Sequence, residues 1–303
     1  VQQGTPNVFA TVAVPEANNI TDSWGGSNAA STLSAPGAGA QIPADSERTV
    51  VVHLMSSFLS QGKMIPLSLI PAVLELELGE LNDCFSGDAN KWEISRPRLV
   101  ADVVTLDQSL MNSYSSHILS GKSLPIPMTG LYSVTSAIPI GSSQYSFPIV
   151  MCFTRLQTIY VTFHDNDAQG KFVTRLYSPL DGEENLSSTD NMEYYFQVGS
   201  ERFPQFSVDS HQESFYRLRL AQLIHQGSDS FSITPAQYRT DKFIIGQNFE
   251  RAPGSAAHSG LNTRSGSQLS INLKNTSAAT VCHVVLVYSQ ILDVSAAGCQ
   301  VLD

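Results

Sequence analysis

The residues able to do chemistry are few and widely spaced. Seven histidines and four cysteines (Cys84, Cys152, Cys282 and Cys299) are scattered along 303 residues. A zinc site needs Cys or His pairs a few residues apart, so that one turn of chain offers two ligands to the same ion. No CxxC pair and no Cys/His pair at that spacing occurs. His211-Gln-Glu213 lacks the second histidine, four residues from the first, that a helical metalloprotease motif requires. Its residues are expected to face solvent at a helix start. His283, inside VCHVVLVY, reads as a satisfied core or interface residue. Asp181, Glu183 and Glu184 carry enough carboxylate oxygens for a calcium ion, but a solvated loop is the simpler expectation. The chain has no GxSxG elbow, no phosphate-binding loop and no dinucleotide fingerprint. No catalytic residue, cofactor-binding residue or metal ligand is assigned, and the chain is expected not to be an enzyme.

Composition narrows the classes further. Charged residues make up only 15 % of the chain, against about 25 % in an average soluble domain. Hydrophobic residues make up 42 %. Such a balance suits a β-rich protein that buries surface in contacts with neighbours. The net charge of −10 argues against direct nucleic-acid binding, which needs a basic footprint, and against docking on anionic lipid. No run approaches the ~18 apolar residues of a membrane span, so no membrane insertion is expected, and no signal peptide is visible. The four cysteines permit two disulfides, but buried free thiols are expected in a chain of this size. Asn19, Asn185 and Asn275 begin glycosylation sequons, which decide little in a chain this rich in Asn, Ser and Thr.

The elements are mostly short strands. Leu269, Ile271 and Leu273 alternate with Ser270, Asn272 and Lys274, the period of two of a half-buried strand. Residues 275–279 form a turn. Residues 281–288 (VCHVVLVY) are too short and too rich in Val for a helix, which predicts a strand buried on both faces. Ile291 and Leu292 continue it, Gly298 permits a bend, and Val301-Leu302 are expected to be pinned in a sheet or an interface. Earlier strands are expected at residues 8–14 and 49–54, and after Pro71, where Leu74, Leu76 and Leu78 alternate with Glu75 and Glu77. Residues 92–106 read as extended and β-branched. Asp107 caps a helix over 108–119, with Leu110, Met111, Tyr114, Ile118 and Leu119 near one face and Gly121 at its end. Four strands follow between 124 and 163, the clearest with Ile159, Val161 and Phe163 on one side. A polar loop spans 165–191, a strand covers 194–200, Ser210 caps a helix from 211 to about 224, and residues 242–249 form another strand.

This layout, with strands, one helix and more strands in each half, suggests two stacked β-sandwiches. Particular stretches also resemble double jelly-roll viral major capsid proteins, the shell proteins of large DNA viruses, virophages and Polinton-like elements. SGLNTRSGSQLSINLK followed by HVVLVYSQILDVSAAGCQVLD is similar to the end of that family's chains, with Tyr288, Ile291, Leu292, Val294 and Gly298 at the matching positions. GKMIPLSLIPAVLELELGE (62–80) and ISRPRLVADVVTLD with the helix after it (94–119) are similar to the family's first jelly-roll. FTRLQTIYVTFHD (153–165) and FQVGSERFPQFSV (196–208) are similar to its second. The chain is shorter than most such proteins.

The resemblance implies an all-β fold of two jelly-roll sandwiches with a few short helices, or a single jelly-roll plus a projection domain. The expected domains are a loop-rich arm over 1–48, a first jelly-roll over 49–150 and a second over 151–303. The implied function is a structural capsid protein whose homotrimers, pseudo-hexagonal in outline, tile an icosahedral shell in the virion. Its partners would be itself and minor capsid or penton proteins. A secreted β-sandwich binding module, lectin-like or adhesin-like, is the alternative from another class; it predicts oxidised cysteines and occupied sequons.

Overall fold

Burial in the computed structural model follows the alternation in the strands. The structure describes residues 64–70, 73–77, 91, 93–139, 144–165, 193–224, 233–240, 242–250, 260–264, 268–274 and 280–302. In chain order these form helix α1 (Gln108–Leu119), strands β1 (Leu124–Ile138), β2 (Gln144–Ile149), β3 (Leu156–Asp165), β4 (Glu193–Val198) and β5 (Glu201–Val208), and helices α2 (His211–Ala221) and α3 (Pro235–Thr240). Strands β6 (Ile244–Asn248), β7 (Leu269–Lys274), β8 (Thr280–Ser295) and β9 (Gly298–Leu302) follow. The chain divides into two compact units, Val1–Met128 with Gln290–Leu302, and Thr129–Ser289.

The unit Thr129–Ser289 is a β-sandwich. One sheet has the order β1-β8-β3-β6 and the other β2-β7-β4-β5. Successive strands pass from sheet to sheet at every step except the β4–β5 hairpin, which makes the winding an eight-stranded jelly roll. Register aligns the apolar rows. Phe147 and Phe196 flank Ile271, Tyr145 and Tyr194 flank Leu273, and Ile149 and Val198 flank Leu269. On the facing sheet Ile159 lies opposite Leu286, Val161 opposite Val284 and Phe163 opposite Cys282. These residues, half-buried Tyr145 and Phe147 included, belong to or pack on one core. Full burial of each large apolar side chain contributes about 1.5–3 kcal/mol. A one-residue slip would turn each row to the outside.

Two long-range ties fix the corners. The Thr263 hydroxyl accepts from the Phe153 amide at 2.7 Å, and the Thr263 amide donates to the Phe153 carbonyl at 2.8 Å. Beside them Leu156 and Leu261 exchange amide bonds at 3.0 and 2.8 Å. Gly260 makes this approach possible. Its φ is +151°, and a Cβ there would lie 2.8 Å from the Arg155 carbonyl carbon and 2.9 Å from its Cα.

Helices α2 and α3 connect β5 to β6 and close that side of the sandwich. The Ser210 hydroxyl accepts from the Glu213 amide and caps α2, satisfying one of the orphan donors of a helix start. Leu218 is fully buried and reaches Gly246 on β6, where a Cβ would stand 2.9 Å from its Cδ1. The Tyr160 hydroxyl on β3 donates to the Ala221 carbonyl at 3.2 Å. Burial raises its pKa.

In the unit Val1–Met128 with Gln290–Leu302, a small cluster joins Ile70, Ile126, Leu292 and Val294. There β9 pairs with the end of β8.

Several expectations are corrected. Residues 73–77 form no strand and their side chains are exposed, Val73 at 93 %: among the described residues no strand pairs with these five, so the alternating leucines have no sheet to bury against. The first two of the four strands expected between 124 and 163 are one strand, β1. Its Pro125 and Pro127 are tolerated because β1 is an edge of its sheet. β8 is buried on one face only, since Val281, His283, Val285 and Val287 alternate half-buried with buried Cys282, Val284 and Leu286. β1 and β2, which lie ahead of residue 151, are strands of this sandwich. The strands expected at 8–14 and 49–54, the 275–279 turn and most of the 165–191 loop lie outside the described residues, as do the 1–48 arm and the three sequons.

Glu193 and Lys274 pair across β4 and β7, with carboxylate and ammonium 2.8 Å apart. The hydrogen bond from Lys274, then one from Ser207, holds the Glu193 carboxyl below its ordinary value of 4.5. A depressed folded-state pKa adds stability above the unfolded value and loses it as pH falls through the folded one. Acid unfolding of the wild type should therefore show a loss below about pH 4.5 that is smaller in Glu193→Gln. Thermal melts of both proteins from pH 7 to 3 measure this; parallel curves would contradict it.

Candidate functional site

The residues that the sequence offered for chemistry do not converge. His211 is buried, not solvent-facing, because α2 lays its first residue against Phe243, with ring centroids 5.5 Å apart. Glu213 on the same turn is held by Arg217 at 2.6 Å, so its carboxylate already has a cation. His283 sits half-buried on β8 opposite Thr162. Asp181, Glu183 and Glu184 lie outside the described residues. Among the described residues no three His, Cys, Asp or Glu side chains cluster to hold a metal ion, and no helix is long and apolar enough to cross a membrane.

Cys282 is a buried free thiol as expected, and burial pushes it up to about 12. Cys152 and Cys299 are free but exposed, against the expectation of burial. Cys299 stands on β9, whose five residues are all exposed. A groove of about 140 Å³ lies along α1, lined by Leu110, Ser113, Tyr114, His117 and Leu124. That is well below the roughly 300–1,000 Å³ of small-molecule sites.

One polar constellation is built with care, and it lies inside the sandwich. The Tyr194 hydroxyl on β4 donates to Ser214 on α2 at 3.0 Å. Ser214 lies 2.7 Å from the Tyr238 hydroxyl on α3, which donates to the Ile244 carbonyl on β6 at 2.9 Å. Every hydroxyl can pass its hydrogen onward, ending on a carbonyl. Desolvation by burial drives both tyrosines above the ordinary phenol range. The chain of bonds ties one sheet to the other through the two helices. Its groups are sealed from solvent and positioned for cohesion, not for turnover.

What remains available to partners is apolar and extended. Residues 93–107 are exposed throughout and have no regular secondary structure. Val100 is 92 % exposed, Val103 77 % and Leu99 62 %. The sequence showed this stretch as extended and β-branched; it gave no sign that both of its faces would be bare. A second feature is readable in the sequence itself: from 123 to 154 no residue is Asp, Glu, Lys, Arg or His, the longest such run in the chain. It contains β1 and β2, which are edge strands of the two sheets.

No family model matches the chain, and no curated protein matches it. Solved structures do. The chain is similar to PBCV-1 VP54, as fitted into a reconstruction of the virophage Sputnik, at 12 % identity and a TM-score of 0.40, covering 65 % of this chain and 54 % of that one. It is similar to the Faustovirus major capsid protein at 12 % identity and a TM-score of 0.39, covering 61 % and 36 %. A structure of the Sputnik virophage matches at 11 % identity and a TM-score of 0.29, covering 59 % and 38 %. The chain thus spans about half, or less, of each of these three chains. The strand order places it among all-β proteins of the jelly-roll class.

Proposed function

We propose that the chain is a structural subunit of a viral capsid, a major capsid protein that associates with copies of itself into trimers. Those trimers would be pseudo-hexagonal in outline and tile an icosahedral shell within the virion. The observation that carries the reading is a complete jelly roll in a chain that also presents an extended, β-branched apolar segment, residues 94–106, to solvent. Monomeric proteins rarely leave such surface bare, and a subunit built to be covered by neighbours has reason to. The sequence resemblance to double jelly-roll capsid proteins supports the same reading.

In the double form, residues from 49 up to β1 contribute to a first sandwich, with 1–48 as an arm ahead of it. Minor capsid or penton proteins would complete the shell, and the acidic chain would leave contact with the genome to other molecules. No catalysis is assigned.

Negative-stain electron microscopy of the purified protein, together with its mass in solution, tests this. The expected result is particles of three times the chain mass, or closed shells. A chain that stays monomeric at high concentration would overturn it.

A further inference from the structure

We propose that the β1/β2 side of the sandwich is the face on which one copy of this chain packs against a second copy. The inference rests on the self-association reading and adds the surface.

Natural sheets guard their edges with charged side chains, prolines, bulges or a covering element. The two sides of this sandwich differ in that respect. On the β5/β6 side, residues 204–207 of β5 stand opposite the single residue Tyr195 of β4, a bulge that contains Pro204. Arg202 stacks 4.5 Å from the Tyr195 ring, and α2 packs on β6. That side is capped, bulged and charged. On the other side, β1 and β2 end their sheets among the described strands, and the run from 123 to 154 carries no charge. Residues 129–137 of β1 also lack proline, and β2 carries one, Pro148. Tyr132, Tyr145 and Phe147 sit there half-buried at the margin of the core, while Leu131 is 55 % and Val150 84 % exposed.

The missing charge indicates the partner. At a net charge of −10 two copies repel, and like charges facing each other across an interface oppose association. An uncharged face lets identical copies approach at the lowest cost. A partner of opposite charge would instead be met by an acidic patch. The two free edges and the half-buried aromatic margin then supply apolar contact with a polar backbone rim, as interface cores require.

The test compares Ser133→Lys/Ser146→Lys, both exposed positions on β1 and β2, with Gln205→Lys/Gln212→Lys on β5 and α2, also exposed. Sedimentation of each against the wild type reads the association, and thermal unfolding of the separated monomers checks the fold. The expected result is association weakened at least about ten-fold, in favour of monomer, for the first pair only. Hydrogen exchange on the wild type gives a second reading that needs no variant: amides of β1 and β2 slow on association, and those of β5 do not. If the wild type associates but the β5/α2 pair dissociates it and protection appears at β5, the assigned face is wrong and self-association stands. If the wild type never associates, both fall.

Discussion

Ser214→Ala should lower the stability of the sandwich by about 2–4 kcal/mol, more than any other loss of a single oxygen in the described core. The substitution removes two hydrogen bonds and leaves the Tyr194 hydroxyl buried without its acceptor. A buried donor left unpaired costs about 1–3 kcal/mol, in addition to the bond itself. Tyr194→Phe removes the donor at the start of the relay and strands no hydrogen, so it should cost about 1 kcal/mol. The double variant should be more stable than Ser214→Ala alone, because it deletes the orphaned hydroxyl. Denaturant unfolding of the four proteins closes the cycle. Equal losses for both single variants, adding in the double, would show that the three hydroxyls do not act as one chain.

Gly260→Ala should cost roughly 2–6 kcal/mol, from two sources. A φ of +151° is one that a side chain rarely adopts, a penalty of about 1–3 kcal/mol. Its Cβ would also meet three backbone atoms at 2.8–3.0 Å, and overpacking of that kind costs about 1–3 kcal/mol. Backbone atoms held by the paired Leu156–Leu261 and Phe153–Thr263 bonds cannot move aside separately. Gly298 is the control. Its φ is +124° but nothing lies within 4 Å of a Cβ there, so Gly298→Ala should show the backbone penalty alone. Melting temperatures of the two variants decide it; a similar shift for both would mean that the 153–156/260–263 corner is looser than its distances imply.

Alternation made part of this fold readable in advance. β3 and β7 could be found because each lies in one of two packed sheets and carries its apolar residues on every second position, while β4 and β6 showed as short apolar runs. Helices α1 and α2 could be found from a 3.6 period beginning at Asp107 and Ser210, although only Ser210 caps with its side chain; Asp107 takes the hydroxyl of Ser109 instead. β5 was hidden by Pro204 and by a bulge that breaks its period. α3, six residues long, is too short to show one. The buried relay was beyond reach, since Tyr194, Ser214 and Tyr238 are 20 and 24 residues apart and only the closure of the sheets brings them together. The exposed 94–106 stretch and the uncharged 123–154 run were both visible, but apolar sequence does not say whether its cover comes from the same chain.

The last strand of the sandwich lies between β1 and β3, with Thr280 opposite Asp165 and Tyr288 opposite Leu156. During synthesis, β1 and β3 therefore leave the ribosome with a gap between them that only β8 fills. At about 5–20 residues per second, the wait from β3 to β8 is on the order of ten seconds. Throughout it Ile159, Val161 and Phe163 lack their neighbours Leu286, Val284 and Cys282. Pairings this distant along the chain fold slowly and leave sticky intermediates. Growing chains crowded on one message would thus expose unpaired core to one another, and only finished ones would have a closed sandwich to offer.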